Sequence, residues 1–161
     1  MDQLTLSRIN LLHPSLRAEA LEIYNEICSA LTGRAMCRFA YTLRTFAEQD
    51  ALYAQGRTKP GKVVTNAKGG QSYHNYGLAV DIVLIRDMDG NGSFETASWD
   101  TKLDADGDGQ SDWMEAVAIL KRHGWEWGGD WKFTDMPHFQ KTFGKSISWL
   151  QKTGVQYPNV T

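Results

Sequence analysis

The stretch Ser72-Tyr73-His74-Asn75-Tyr76-Gly77-Leu78-Ala79-Val80-Asp81 sets an imidazole and a carboxylate on either side of a glycine turn. The Gly69-Gly70 pair precedes it and the apolar run Leu78 to Ile85 follows, so a loop presents His74 and a strand carries Asp81 inward. One imidazole nitrogen and one carboxylate oxygen brought together this way are two of the three protein ligands that a catalytic zinc requires. A third candidate stands far downstream in Asp135-Met136-Pro137-His138-Phe139, close to the Gly128-Gly129-Asp130-Trp131 turn. Each piece also has a plainer reading. A His beside Asn and Gly serves as a hydrogen-bonded loop residue, and an Asp among Ala and Val caps a turn, although Asp is seldom buried without a partner. Together, two His and two Asp supply a ligand set with one carboxylate left over as a base, and the spacing by itself leaves both readings open.

A chain of 161 residues predicts one compact domain with a real core. A net charge of −2 argues against a nucleic-acid partner, which would call for a basic face. No apolar run approaches the roughly 20 residues of a membrane span. The opening Met1-Asp2-Gln3-Leu4 lacks a basic segment followed by an apolar one, so no secretory signal is expected. Cys28, on a predicted helix, and Cys37, in a predicted strand, read as two buried thiols; a disulfide between them would need geometry that sequence does not supply.

Pro14 opens a predicted helix in which Leu16, Ala20, Ile23, Tyr24, Ile27 and Leu31 recur at helical spacing up to Gly33, with His13 structural at its start. Met36 to Leu43 reads as a strand with Cys37, Phe39 and Tyr41 on one face, delivering Arg44 at its end. Thr45 and Glu48 have the spacing of a capping box, opening a helix that runs to Gln55. Gly56 to Gly70 is a loop bordering the cleft. Trp113 to His123 reads as a helix with Met114, Val117, Ala118 and Leu120 buried, and Phe143 to Thr153 as a short amphipathic one.

Between Asp87 and Glu115 the chain turns acidic. Asp104, Asp106, Asp108, Gln110, Asp112 and Glu115 occupy the ligand positions of an EF-hand loop, with Gly109 at the sixth place, and suggest a calcium site. The competing reading is that Asp-Gly repeats only make tight turns, since no helix leads into Asp104. The upstream copy from Asp87 has Ser98 at its last position and reads as a turn.

The pattern Ser-x-His-x-x-Gly-x-Ala-x-Asp of residues 72–81, followed by Asp-x-x-His at 135–138, resembles the zinc peptidases that cut peptidoglycan stem peptides. That group holds the VanY-type D-Ala-D-Ala carboxypeptidases and the L-alanyl-D-glutamate endopeptidases of phage endolysins. The resemblance runs from Leu12-His13-Pro14 through Arg44-Thr45, Gln49, Leu52-Tyr53 and Gly56-Arg57 to His138-Phe139. It implies an α+β fold in which a small antiparallel sheet carries the zinc site and helices pack against it. One domain would span residues 1–161, with the acidic region 87–115 inserted. It implies that His74, Asp81 and His138 ligate Zn²⁺ and that Asp135 is the catalytic base. By the same resemblance Arg44 binds a substrate carbonyl or carboxylate, while Ser72, Tyr73, Gln49 and Trp131 border the substrate.

Asp rather than Glu at position 135 fits the endopeptidase branch, and the absence of His-Glu-x-x-His excludes a thermolysin-like site. The expected activity is cleavage between L-Ala and D-Glu by a phage or prophage lysin. Such a protein, made in the cytoplasm without a signal peptide, would reach the wall through holin-made holes. A D-Ala-D-Ala carboxypeptidase is the first alternative, and a non-catalytic wall- or calcium-binding module on the same fold the second. The expected partner is the stem peptide, with no nucleic acid, no membrane insertion and a monomeric state.

Overall fold

In the computed structural model, which describes residues 1–161, the most apolar segment of the chain lies at the centre of a small antiparallel sheet. That segment is β2 (Ala79–Arg86); only Asp81 and Arg86 within it are not fully buried. A run of β-branched and aliphatic residues suits a strand covered on both faces. On one side β2 pairs with β1 (Ala35–Tyr41), on the other with β5 (His138–Gln140), which in turn pairs with β4 (Glu126–Trp127). The short β3 (Thr96–Ser98), from the acidic region, also pairs with β2. All of these pairings are antiparallel.

In β1, Cys37 and Phe39 alternate into the core as expected, joined by Ala35, but Tyr41 does not continue the series. The register against β2 shifts between Phe39 and Tyr41, and Tyr41 turns outward, 58% exposed. A bulge inserts an unpaired residue and re-aims the side chains beyond it, here towards the cleft.

Five helices surround the sheet. Helix α1 (Gln3–Ile9), absent from the sequence reading, is capped by Asp2, whose carboxylate accepts from the Thr5 amide and also pairs with Arg38 of β1. Helix α2 (Arg17–Ala30) begins after a separate 3-10 turn at Pro14–Leu16 and packs against α1, β1 and α4 (Asp112–Arg122). The imidazole of His13 is structural, bonded to the Ser15 amide and the Pro158 carbonyl. Helix α3 (Phe46–Ala54) starts at the expected capping box, with Thr45 and Glu48 satisfying each other's backbone amides. Helix α5 (Ile147–Thr153) is shorter than expected, because Phe143 and Gly144 both take positive φ and Ser146 supplies the cap.

Two other expectations need correction. The buried face of α4 is Trp113, Ala116, Val117 and Leu120, whereas Met114 and Ala118 are exposed. The indole of Trp113, wholly buried, claims the core and rotates the helix by about one position. Cys28 lies on the outer face of α2 and is exposed; only Cys37 is buried, and both thiols are free. The largest wholly buried side chains are Trp113, Tyr24, Tyr76, Phe39 and Phe139, each contributing roughly 1.5–3 kcal/mol or more of hydrophobic stabilisation. No helix is long and apolar enough to cross a membrane.

Candidate metal centre and cleft

His74 sits in a 3-10 turn, Tyr73–Tyr76, that Gly77 closes in the left-handed conformation at φ +68°. A Cβ at Gly77 would lie 2.5 Å from the His13 backbone nitrogen, so both the turn and the close approach require glycine. Asp81 follows on β2, and the β2–β5 register places it directly opposite His138. The ligand atoms of His74, Asp81 and His138 lie within 4.8 Å of one another. Asp81 Oδ1 is 3.1 Å from His74 Nε2 and 3.1 Å from His138 Nδ1.

The outward hydrogen bonds decide what these atoms can do. His74 Nδ1 is 2.7 Å from the Thr42 carbonyl oxygen, which can only accept. The ring proton therefore resides on Nδ1, and Nε2 directs a lone pair at Asp81. His138 turns its Nε2 to Gln140 Oε1 at 2.9 Å and its Nδ1 to Asp81. Two imidazole lone pairs and a carboxylate oxygen thus converge, an arrangement that needs a cation or added protons between them. Two nitrogens and one oxygen match the donor set of a catalytic zinc with an open fourth position, and the residues fit that ion. With protons rather than a cation between them, burial opposes ionisation of Asp81, but hydrogen bonds from His138 and His74 outweigh it and hold the carboxyl well below the usual carboxylate range. Burial likewise opposes a charge on His138, and Asp81 overcomes it, raising the imidazole pKa.

The cluster floors a cleft of about 780 Å³ whose lining includes Tyr41, Arg44, Thr65, Ser72 and Asp135. A concavity of about 800 Å³ between α2 and α4, lined by Leu21, Asn25 and Arg122 among others, presents no histidine. Asp135 stands exposed at the rim, and no hydrogen bond ties its carboxylate. Partial burial of that carboxyl, reinforced by the Asp81 charge, lifts its pKa against the pull of His138, His74 and Arg44. The backbone here is tightly held: the Asp135 amide donates to the Gly128 carbonyl, and a Cβ on Gly128 would meet the Asp135 carbonyl at 2.3 Å.

Arg44 is anchored by its amide to the His74 carbonyl, by its carbonyl to Asn75, and by Nη1 to Gln49 Oε1 at 3.0 Å. Its guanidinium also stacks over the Tyr41 ring. Gln49, expected to border substrate, is instead wholly buried behind Arg44, where it also donates to the Ala67 carbonyl. Tyr73 does not line the cleft and gives its hydroxyl to the Lys145 carbonyl. Ser72 lines the cleft while its Oγ caps the His74 turn. Trp131 tilts against His138 with ring centroids 5.3 Å apart. Gln140, unnoticed in the sequence, touches the centre directly; its signal, a polar residue two positions beyond His138, acquires meaning only with the β4–β5 pairing.

In the acidic region, Asp104, Asp106 and Asp108 converge, and Asp106, Asp112 and Glu115 form a second group sharing Asp106. The Gln110 side chain bonds Asp108. Asp112 is 1% exposed, and Glu115 Oε2 is buried with no hydrogen-bond partner. Burial, then the surrounding carboxylates, push Glu115 up to about 7. The upstream loop is built alike: Asp87 accepts the amides of Gly90, Asn91 and Gly92 as Asp104 accepts those of Gly107 and Gly109, and Asp87, Asp89 and Glu95 also converge.

Fold and site together define a small α+β protein with a His-Asp-His centre at the base of an open cleft. Residues 65–141 match the family described as D-alanyl-D-alanine carboxypeptidase, a span that holds His74, Asp81, Asp135 and His138. The chain is 54% identical over 98 residues to the peptidoglycan L-alanyl-D-glutamate endopeptidase CwlK of Bacillus subtilis (strain 168), covering 60% of this chain and 55% of that protein. It is 32% identical over 110 residues to the L-alanyl-D-glutamate peptidase of Listeria phage A118, covering 60% of this chain and 34% of the phage protein. The aligned part thus spans about half of the first relative's length and a third of the second's. The fold is similar to that of the Serratia marcescens L-Ala D-Glu endopeptidase ChiX, with a TM-score of 0.50 at 19% identity over 87% of each chain.

Proposed function

We propose that this protein is a zinc-dependent peptidoglycan hydrolase that cuts the stem peptide between L-Ala and D-Glu. The observation that carries the reading is the convergence of two imidazole lone pairs and the Asp81 carboxylate beneath a cleft that Arg44 and Asp135 line from separate elements. The L-alanyl-D-glutamate specificity in the names of both relatives supports the choice of bond.

His74, Asp81 and His138 would hold the zinc, which supplies Lewis acidity to the scissile carbonyl and to an attacking water. Asp135, free of hydrogen bonds and with a raised pKa, takes the proton of that water and delivers it to the departing D-Glu amine. Arg44, oriented by Gln49, donates to the carbonyl oxygen as negative charge develops there. Trp131, tilted against His138, shields one side of the site from bulk water. Ser72 faces the cleft where a stem-peptide amide can reach its hydroxyl.

Incubation of the zinc-loaded protein with a synthetic stem pentapeptide bearing an acylated L-Ala tests the reading. The expected product is a tetrapeptide with D-Glu at its amino end. Release of terminal D-Ala alone would assign the chain to the carboxypeptidases instead.

We also propose that the 104–115 loop binds one calcium ion. The buried, unpartnered Glu115 Oε2 beside Asp106 and Asp112 favours a cation there over a simple acidic turn. The ion would brace the entrance to α4 and take no part in the chemistry.

A further inference from the structure

His74 and His138 have their ring protons set by different means. The acceptor behind His74 is a backbone carbonyl, which cannot reverse. The acceptor behind His138 is a side-chain amide, which can turn over and offer either its oxygen or its NH₂ group. Gln140 is therefore the one point at which the ligand set could be wired the wrong way round.

A third residue removes that freedom. Glu126 and Gln140 are direct partners in the β4–β5 register, and Gln140 Nε2 donates to Glu126 Oε2 at 3.1 Å. An ionised carboxylate only accepts, so the NH₂ group of Gln140 must face Glu126 and its Oε1 must face His138. That oxygen only accepts too, so the His138 proton resides on Nε2, 2.9 Å away. The lone pair is left on Nδ1, directed at Asp81 and the metal position.

We propose that Glu126, an exposed residue that does not line the cleft, is a positioning residue that sets the His138 tautomer through Gln140 and thereby the zinc affinity of the centre. The proposal rests on the reading of His138 as a ligand and adds the reason its nitrogen is available. Outer hydrogen bonds of this kind are worth roughly 10–100-fold in metal affinity.

The decisive variant is Glu126→Lys. A lysine only donates, so it draws the Gln140 oxygen away and turns the NH₂ group towards His138, moving the ring proton to Nδ1. Two readouts on the full chain are independent of hydrolysis: zinc affinity by chelator competition, and ¹⁵N chemical shifts of the His138 ring in metal-free protein at alkaline pH. Glu126→Lys is expected to weaken zinc binding roughly 10–100-fold and to invert the tautomer. Adding Gln140→Glu should restore both, because a carboxylate at 140 accepts from His138 and from the lysine together. A Glu126→Lys protein with its proton still on Nε2 and zinc affinity within about twofold of the parent overturns the proposal, as does failure of the double variant to restore either property. Zinc affinity that follows these variants in a protein that cuts no stem peptide would remove the proposed activity and leave this inference standing.

Discussion

Asp81 and His138 face each other across the β2–β5 pairing, with Oδ1 and Nδ1 3.1 Å apart. Two rigid strands therefore hold two of the three candidate ligands, and only His74 depends on a turn. A centre built this way is largely formed before the metal arrives, so zinc adds stability by linkage rather than by folding a disordered site. Zinc at about a hundred times its dissociation constant should add roughly 2.7 kcal/mol to unfolding measured in denaturant. His138→Ala should abolish that gain, and an equal zinc response in the variant would remove His138 from the ligand set.

The turn that carries His74 is the fragile part. Gly77→Ala must adopt φ near +68° and press a methyl on the His13 backbone. The left-handed conformation alone costs roughly 1–2 kcal/mol, and the contact adds to it. Denaturant unfolding with chelator present should show at least that loss, together with weaker zinc binding. Unchanged stability would mean that the turn relaxes at no cost.

Asp135→Ala should bind zinc like the parent, because the carboxylate is not among the converging ligand atoms. Its turnover on stem peptide should fall roughly 10²–10⁴-fold. Metal analysis beside the rate assay separates the two effects, and full turnover would eliminate Asp135 as the base.

Arg44→Ala should lower kcat roughly 10²–10³-fold, as expected for loss of a donor to the developing oxyanion. Its effect on stability should be roughly 1–3 kcal/mol, since the buried Gln49 Oε1 loses its donor while Nε2 keeps its bond to the Ala67 carbonyl. A large melting shift with unchanged kcat would make Arg44 a structural residue.

The acidic loop predicts a pH dependence of definite sign. Glu115 titrates at about 7 in the folded chain against an ordinary 4.5, so the folded state binds its proton more tightly than the unfolded state. The stability that this contributes is full below pH 4.5 and is lost as pH rises to about 7. Melting temperature in chelator should therefore fall across that window, and Glu115→Gln should flatten the fall. Calcium should raise the melting temperature at pH 7.5 in the parent and fail to do so in Asp104→Asn/Glu115→Gln. An identical calcium response in that variant would leave the loop an acidic turn.

Much of this arrangement is readable from local pattern. Asp81 lies in the apolar run Leu78 to Ile85, rich in β-branched residues, that reads as a buried strand, and Gly77 three residues after His74 marks the left-handed turn. The Thr45–Glu48 capping box identifies the start of α3 and the position of Arg44 just before it. What escapes the sequence depends on register and on competition for the core. The role of Gln140 exists only because Glu126 pairs with it across two very short strands. Tyr41 faces the cleft because of a bulge that no alternation pattern announces, and Gln49 is buried because Arg44 and the 65–67 segment close over it. The face of α4 follows the large Trp113 indole rather than the periodicity of its smaller apolar residues.

The most direct measurement is mass spectrometry of purified peptidoglycan digested with the zinc-loaded protein. Released peptides should begin with a free D-Glu amine and should be absent when Asp135→Ala replaces the parent. Release of free D-Ala alone, with the stem peptides still attached to the glycan through L-Ala, would contradict the proposed cut between L-Ala and D-Glu, as would zinc-loaded protein that releases nothing.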